Sequence, residues 1–105
     1  MATTYPPIYI GVNQRLRYRG ANDAGVFLNS GTATWSLEDR SGAVLATGSL
    51  LYEATSDGNY STVLSHSVTS GLIAGALYHV RVVFDQGGGA YHDTRRRTFL
   101  AQYRD

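Results

Sequence analysis

The chain has no cysteine, no lysine and only two prolines in 105 residues. Without cysteine there is no disulfide and no thiolate metal site, so packing alone must hold the fold. A chain of this size buries roughly two-thirds of its unfolded surface, which is enough for that. The missing thiols do not identify a redox compartment. Long apolar runs are missing too. The longest weakly polar stretch, residues 71–78, is far short of the ~20 residues of a membrane-spanning helix. The start, Met1-Ala2-Thr3-Thr4-Tyr5-Pro6-Pro7, lacks the basic head and apolar centre of a signal peptide, so a complete, unexported gene product is expected. No segment keeps a helical period over three turns. Strong net charge is also absent: it is +1 with neutral histidines, so bulk electrostatics select no partner.

What is present is a period of two. Gly58-Asn59-Tyr60-Ser61-Thr62-Val63-Leu64 starts at a glycine turn and then alternates large apolar with smaller or polar residues. Gly75-Ala76-Leu77-Tyr78-His79-Val80-Arg81-Val82-Val83-Phe84-Asp85 does the same. Over residues 32–39, Ala33, Trp35 and Leu37 share one face and Thr34, Ser36 and Glu38 the other. Such alternation marks strands with one buried side. Further strands are expected over residues 8–12, 14–19, 44–47, 50–54 and 91–103, with a brief apolar touch at 26–28. Residues 65–74 read as a crossover. Seven or eight strands at roughly ten-residue spacing give the rhythm of an all-β sandwich. One domain is expected over residues 8–105, preceded by an extended arm over 1–7 that Pro6-Pro7 stiffens. Trp35, Leu37, Tyr60, Tyr78, Val80 and Val82 form the expected core.

All nine basic residues are arginine. A GC-rich genome explains that, and so does contact, because Arg forms bidentate pairs and stacks on rings. Arg15, Arg17 and Arg19 share one side of an early strand, with Leu16 and Tyr18 on the other. Arg95, Arg96 and Arg97 stand in the closing strand. If the early strand lies beside the last one, six arginines gather at one edge. That edge reads as a guard against aggregation or as a docking surface for an acidic protein. The near-neutral balance disfavours nucleic acid. Arg95 and Arg97 share parity with Phe99, Ala101 and Tyr103, which look buried. Either a bulge shifts the phase near Arg97-Thr98, or this part of the strand runs beyond the core.

No catalytic, cofactor or metal set emerges. A metal would need His66, His79 and His92 to converge with carboxylates. A hairpin tip at Gln86-Gly87-Gly88-Gly89 puts about position 96, not His92, opposite His79. Glu53 with Asp57, or Asp85 with Asp93, could pair for hydrolysis, but acids beside turn glycines usually make local hydrogen bonds. A Gly-x-Ser-x-Gly elbow is missing. The glycine triplet has no following helix and so is no phosphate loop. It reads as a flexible tip or as a loop that orders on a neighbour. Tyr18, Tyr60 and Tyr78 stand in strand phase, whereas Tyr5, Tyr52, Tyr91 and Tyr103 read as freer.

From Ile8 onward the layout is familiar. Its markers are Gly31-Thr32-Ala33-Thr34-Trp35-Ser36-Leu37-Glu38-Asp39-Arg40-Ser41-Gly42, then Asp57-Gly58-Asn59-Tyr60, then Ala74-Gly75-Ala76-Leu77-Tyr78-His79-Val80-Arg81-Val82. The chain resembles the small immunoglobulin-like β-sandwiches encoded among the structural genes of tailed bacteriophages, and is similar to the N-terminal domain of phage upper-baseplate proteins. Gly75-x-x-Tyr78 also resembles a tyrosine corner, whose hydroxyl ties a crossover to the next strand. The resemblance implies an immunoglobulin-like, two-sheet antiparallel sandwich of seven or eight strands. It implies a non-enzymatic virion protein without cofactors, at the head–tail junction or on the capsid or baseplate surface. Such a protein docks in symmetric copies on capsid, portal/neck or tail subunits. The expected contact residues are Tyr5, Pro6, Pro7, Arg15, Arg17, Arg19, Arg95, Arg96 and Arg97, since an arm with two prolines needs a neighbour to lie on. The other readings are a carbohydrate-binding or adhesion module, which an exposed coplanar aromatic pair would favour, and an enzyme accessory domain.

Overall fold

The segments with period-two alternation become strands. A computed structural model describes residues 4–88 and 91–104. In it, β1 (Pro7–Tyr9), β2 (Gln14–Tyr18), β5 (Thr32–Asp39), β6 (Val44–Tyr52), β7 (Tyr60–Leu64), β8 (Leu77–Gln86) and β9 (Tyr91–Gln102) form one sheet. Its order is β1-β9-β8-β5-β6-β7-β2. A separate hairpin pairs β3 (Asn22–Asp23) with β4 (Val26–Phe27), where a loop and a brief touch are expected from the sequence. The crossover holds a single turn of helix, α1 (His66–Thr69). The fold is all-β. The sheet is mixed, because β1 runs parallel to β9 while every other pair is antiparallel.

The sheet curls until its end strands, β1 and β2, come together, and one side chain bridges them. Tyr9 N–H donates to Gln14 Oε1 at 2.9 Å, and Gln14 Nε2 donates to the Pro7 carbonyl at 3.1 Å. Of the expected arm, Pro6 and Pro7 already meet the sheet. Leu100 N–H donates to the Pro6 carbonyl at 3.0 Å, and Pro7 already pairs with Leu100 in β1. Residues 1–3 of that arm lie outside the described residues.

β6 is one strand where two are expected. It pairs with β5 through Leu50 and with β7 at Leu51 and Tyr52, and so carries the sheet from one half to the other. Gly48, which reads as a break in the sequence, sits under the Trp35 ring. A Cβ there would lie 2.6 Å from Trp35 Nε1. The glycine supplies room for the indole, not a turn.

All six expected core side chains are buried, as are Tyr18, Phe84, Ile8 and Ala101. Phe84 is the hub. Its ring lies 5.2 Å from Tyr18, nearly parallel, and 5.0 Å and 6.0 Å from Tyr60 and Tyr91, edge-on. Tyr52 leans on Tyr60 at 5.5 Å. Tyr52 and Tyr91 thus belong to the interior cluster and are not free, because the curl of the sheet brings them onto Tyr60 and Phe84. Each such pair contributes ~0.5–1.5 kcal/mol beyond its buried area. Tyr60 Oη donates to the Leu28 carbonyl at 2.7 Å and accepts from Gly31 N–H at 3.0 Å. Tyr78 Oη accepts from Ile73 N–H at 2.8 Å, which ties the crossover to β8 as a tyrosine corner does.

Candidate docking groove

Between β2 and β9, beside the start of β1, lies a groove of about 800 Å³. Ile8, Leu16, Leu64, Val80, Val82 and Phe99 supply its apolar lining. Arg15, Arg17 and Arg19 of the β2 segment border one side, Arg95, Arg96 and Arg97 of β9 the other, and Pro6 and Pro7 border it too. Among the described residues no acidic side chain lines it. Eight of the nine expected contact residues therefore meet at one place. The ninth, Tyr5, lies upstream at 36% exposure.

The way they meet differs from a shared strand edge. β2 pairs with β7, and β9 with β8 and β1, so β2 and β9 exchange no ladder. Side chains bridge them at one point. Tyr18 Oη donates to Asp93 Oδ2 at 2.6 Å, Arg95 Nε donates to the same oxygen at 3.0 Å, and the Arg95 guanidinium lies 4.2 Å above the Tyr18 ring. The hydrogen bond from Tyr18 holds the Asp93 carboxyl below its usual range, with help from Arg95. Burial, then the bond to Asp93, pushes the Tyr18 hydroxyl well up.

The open question of phase in β9 has a definite answer. The β8–β9 register runs without a shift from Leu77↔Leu100 to Gln86↔Tyr91, so there is no bulge. Arg95 pairs with Val82 and Arg97 with Val80, which puts both arginines on the inner face. The strand keeps its phase and the core ends. Arg96, paired with Arg81, alternates with Arg95 and Arg97 and meets the groove at its rim. Arg17 Nε stands 3.2 Å from Glu53 Oε2, and that carboxylate oxygen has no aligned hydrogen bond. Among the described residues, Arg15, Arg19, Arg96 and Arg97 have no carboxylate within ion-pair distance.

The remaining polar residues are spread out. His79 Nδ1 lies 2.9 Å from Thr98 Oγ1. The partner position is 98, not about 96, because the hairpin turn starts only after Gln86 and ends before Tyr91. His66 opens α1, far along the chain from both other histidines. Among the described residues no three metal-binding side chains come together. Gly89 of the glycine triplet lies outside the described residues. Glu38, expected outward, is 6% exposed because Ser36 Oγ donates to it at 3.1 Å and Arg81 lies 3.6 Å away.

Two features escaped the sequence reading. The Gln14 bridge leaves no local trace. The Tyr18–Asp93–Arg95 contact had one signal, the shared parity of Asp93 and Arg95 with buried residues downstream. The chain finds no significant match among family models, curated proteins or solved structures.

Proposed function

We propose that the chain is a non-enzymatic structural protein of a tailed-phage virion. It is an immunoglobulin-like sandwich that docks in symmetric copies at the head–tail junction or on the capsid or baseplate surface. Support for docking comes above all from one observation. Pro6, Pro7 and six arginines line a single groove with an apolar lining and, among the described residues, no acid. Arg is enriched at protein interfaces, where its charge steers and orients partners more than it adds affinity. Support for the virion setting is the likeness of residues 31–42, 57–60 and 74–82 to phage sandwiches. Support for the sandwich is the packing of Tyr18 and Tyr60, from β2 and β7, onto Phe84 of β8. The partners are capsid, portal/neck or tail subunits with acidic surface.

The sugar-binding reading draws no comparable support. The one nearly parallel ring pair among the described residues, Tyr18 with Phe84, is buried.

The test is particle composition. Purified tailed particles of the encoding phage should hold the chain at a fixed ratio to the major capsid or tail subunit. The double variant Arg15→Glu/Arg19→Glu should melt within ~3 °C of wild type, since among the described residues neither has a carboxylate partner to lose. It should be depleted from the particle. Absence of the wild-type chain from purified particles overturns the virion reading, and normal incorporation of the variant overturns docking through the groove.

A further inference from the structure

We infer that the groove is completed by strand addition: an extended acidic segment of a partner protein lies between β2 and β9 and hydrogen-bonds to their open edges. This rests on the docking role proposed above and adds its geometry and the chemistry of the partner.

The edges come first. β1 and β2 are the two ends of the sheet order, so each has a strand neighbour on one side only. Every second residue of an end strand turns its N–H and C=O away from that neighbour, and such edges template another strand. The groove is flanked by β2 on one side and on the other by β9, which among the described residues has only β8 beside it over residues 91–99.

Gln14 shows that the edge of β1 accepts a ladder. Its side-chain amide takes the N–H of Tyr9 and gives to the carbonyl of Pro7, the pair of bonds one residue of an added parallel strand would make. Tyr9 and Pro7 are two residues apart, the ladder spacing along one edge. One amide satisfies one step. Pro6 and Pro7 have no N–H to extend it, so β1 is closed, and the edges left for a backbone to join are those of β2 and of β9 beyond β1.

Charge selects the segment. Arg15, Arg19 and Arg97 line the groove without a carboxylate in reach among the described residues. Residues 14–19 span about 20 Å, which fits a strand of about six residues. A strand laid there turns alternate side chains towards the apolar lining and away from it. The fitting sequence therefore alternates apolar and acidic residues. A second copy of this chain fits poorly, because residues 1–7 contain no acid and residues 103–105 have one Asp beside an Arg. Nucleic acid brings negative charge but no backbone ladder.

The test uses the full chain and two capped synthetic peptides. One alternates Glu and Val over about seven residues. The other has Pro at its central Val, which keeps the charge and removes the ladder. The alternating peptide should bind at least about tenfold tighter than the Pro peptide by calorimetry. It should slow hydrogen exchange in β2 and β9 and lose affinity with added salt. Arg15→Glu/Arg19→Glu should weaken it by about tenfold or more. Equal binding of both peptides overturns the inference, as does protection confined to other strands. Tighter binding of an oligothymidylate to the groove overturns it as well. So does a dimer of the chain alone that protects the same edges.

The two proposals fail separately. If neither peptide binds while the charge-reversed variant drops out of the particle, strand addition falls and docking stands. If the peptide binds as expected but the chain is absent from particles, the virion reading falls and the strand-binding groove stands.

Discussion

β8 and β9 are the two arms of one hairpin, and on the face they share they could hardly differ more. At paired positions β8 presents Val80, Val82 and Phe84 where β9 presents Arg97, Arg95 and Asp93. The β8 residues are 3%, 5% and 0% exposed, while the Arg95 side chain is 53% exposed. The register between them is unbroken, so the difference does not come from the backbone. It comes from what lies opposite. Phe84 is met by rings from β2, β7 and β9. β9 is reached from β2 at Tyr18, and beside that contact lies the groove. Polarity along a strand reports what covers it, and it can change while the phase stays fixed.

The largest expected break in this comparison is Phe84→Ala. It removes the ring on which Tyr18, Tyr60 and Tyr91 converge and leaves a cavity in the covered half. The expected loss is about 3–5 kcal/mol, read by chemical denaturation. A loss below about 1 kcal/mol would show that the ring cluster is loosely packed and that β8 is not the covered arm.

Gly48→Ala comes next and tests the same packed half from β6. The new methyl would lie within 2.6–2.9 Å of three atoms of the Trp35 ring. The indole must shift, at an expected cost of about 1–3 kcal/mol with a changed Trp fluorescence spectrum. If Gly48 were instead a turn residue, the spectrum would stay as it is.

Gly48 also marks where the sequence stops being readable. Alternation in β5, β7 and β8 is local, so those strands and their six core side chains were visible in the order of residues. Gly48 reads as a break because its reason, the Trp35 ring on the neighbouring strand, is not local. The parallel pairing of β1 with β9 joins opposite ends of the chain and has no local sign. The gathering of arginines was readable only as a condition on which strands become neighbours. It came about across a groove, through Tyr18 and Asp93, and not along a shared ladder. Gln14 looked like one more polar residue because its partners, Pro7 and Tyr9, are backbone groups.

Tyr18→Phe probes the hydrogen bond that joins β2 to β9 beside the groove. It keeps the ring against Phe84 and removes the bond to Asp93. That carboxylate retains Arg95 and some solvent, with 29% of its side chain exposed, so the expected loss is about 1 kcal/mol. The pH dependence has a definite sign on both limbs. Asp93 has a lowered pKa in the fold, so its contribution is present above about pH 4 and is lost as pH falls through the lower folded value. Tyr18 has a raised pKa in the fold, so its contribution is present below about pH 10 and is lost as pH rises further. Thermal melts against pH should show both limbs in wild type. In Tyr18→Phe the acid limb should flatten and the alkaline limb should lose the Tyr18 contribution. Unchanged limbs would mean that Asp93 and Tyr18 are not coupled in solution.

The smallest expected effect is the sharpest test of the contrast between the arms. Arg97 occupies an inward position of β9, opposite buried Val80, yet it lines the groove and its guanidinium lies 5.7 Å from the Phe99 ring. If the inner face there were true core, Arg97→Val would relieve a buried charge and raise stability by several kcal/mol. If the face is open, the exchange removes a solvated cation and a weak contact with Phe99 and adds a residue suited to strands. The net change should then stay within ~0.5 kcal/mol, or roughly 2–4 °C in melting midpoint. Near-neutral stability would leave β9 as a strand in register whose inner face is free to meet a partner. A large gain would mean that β9 is covered in solution and that the groove is closed.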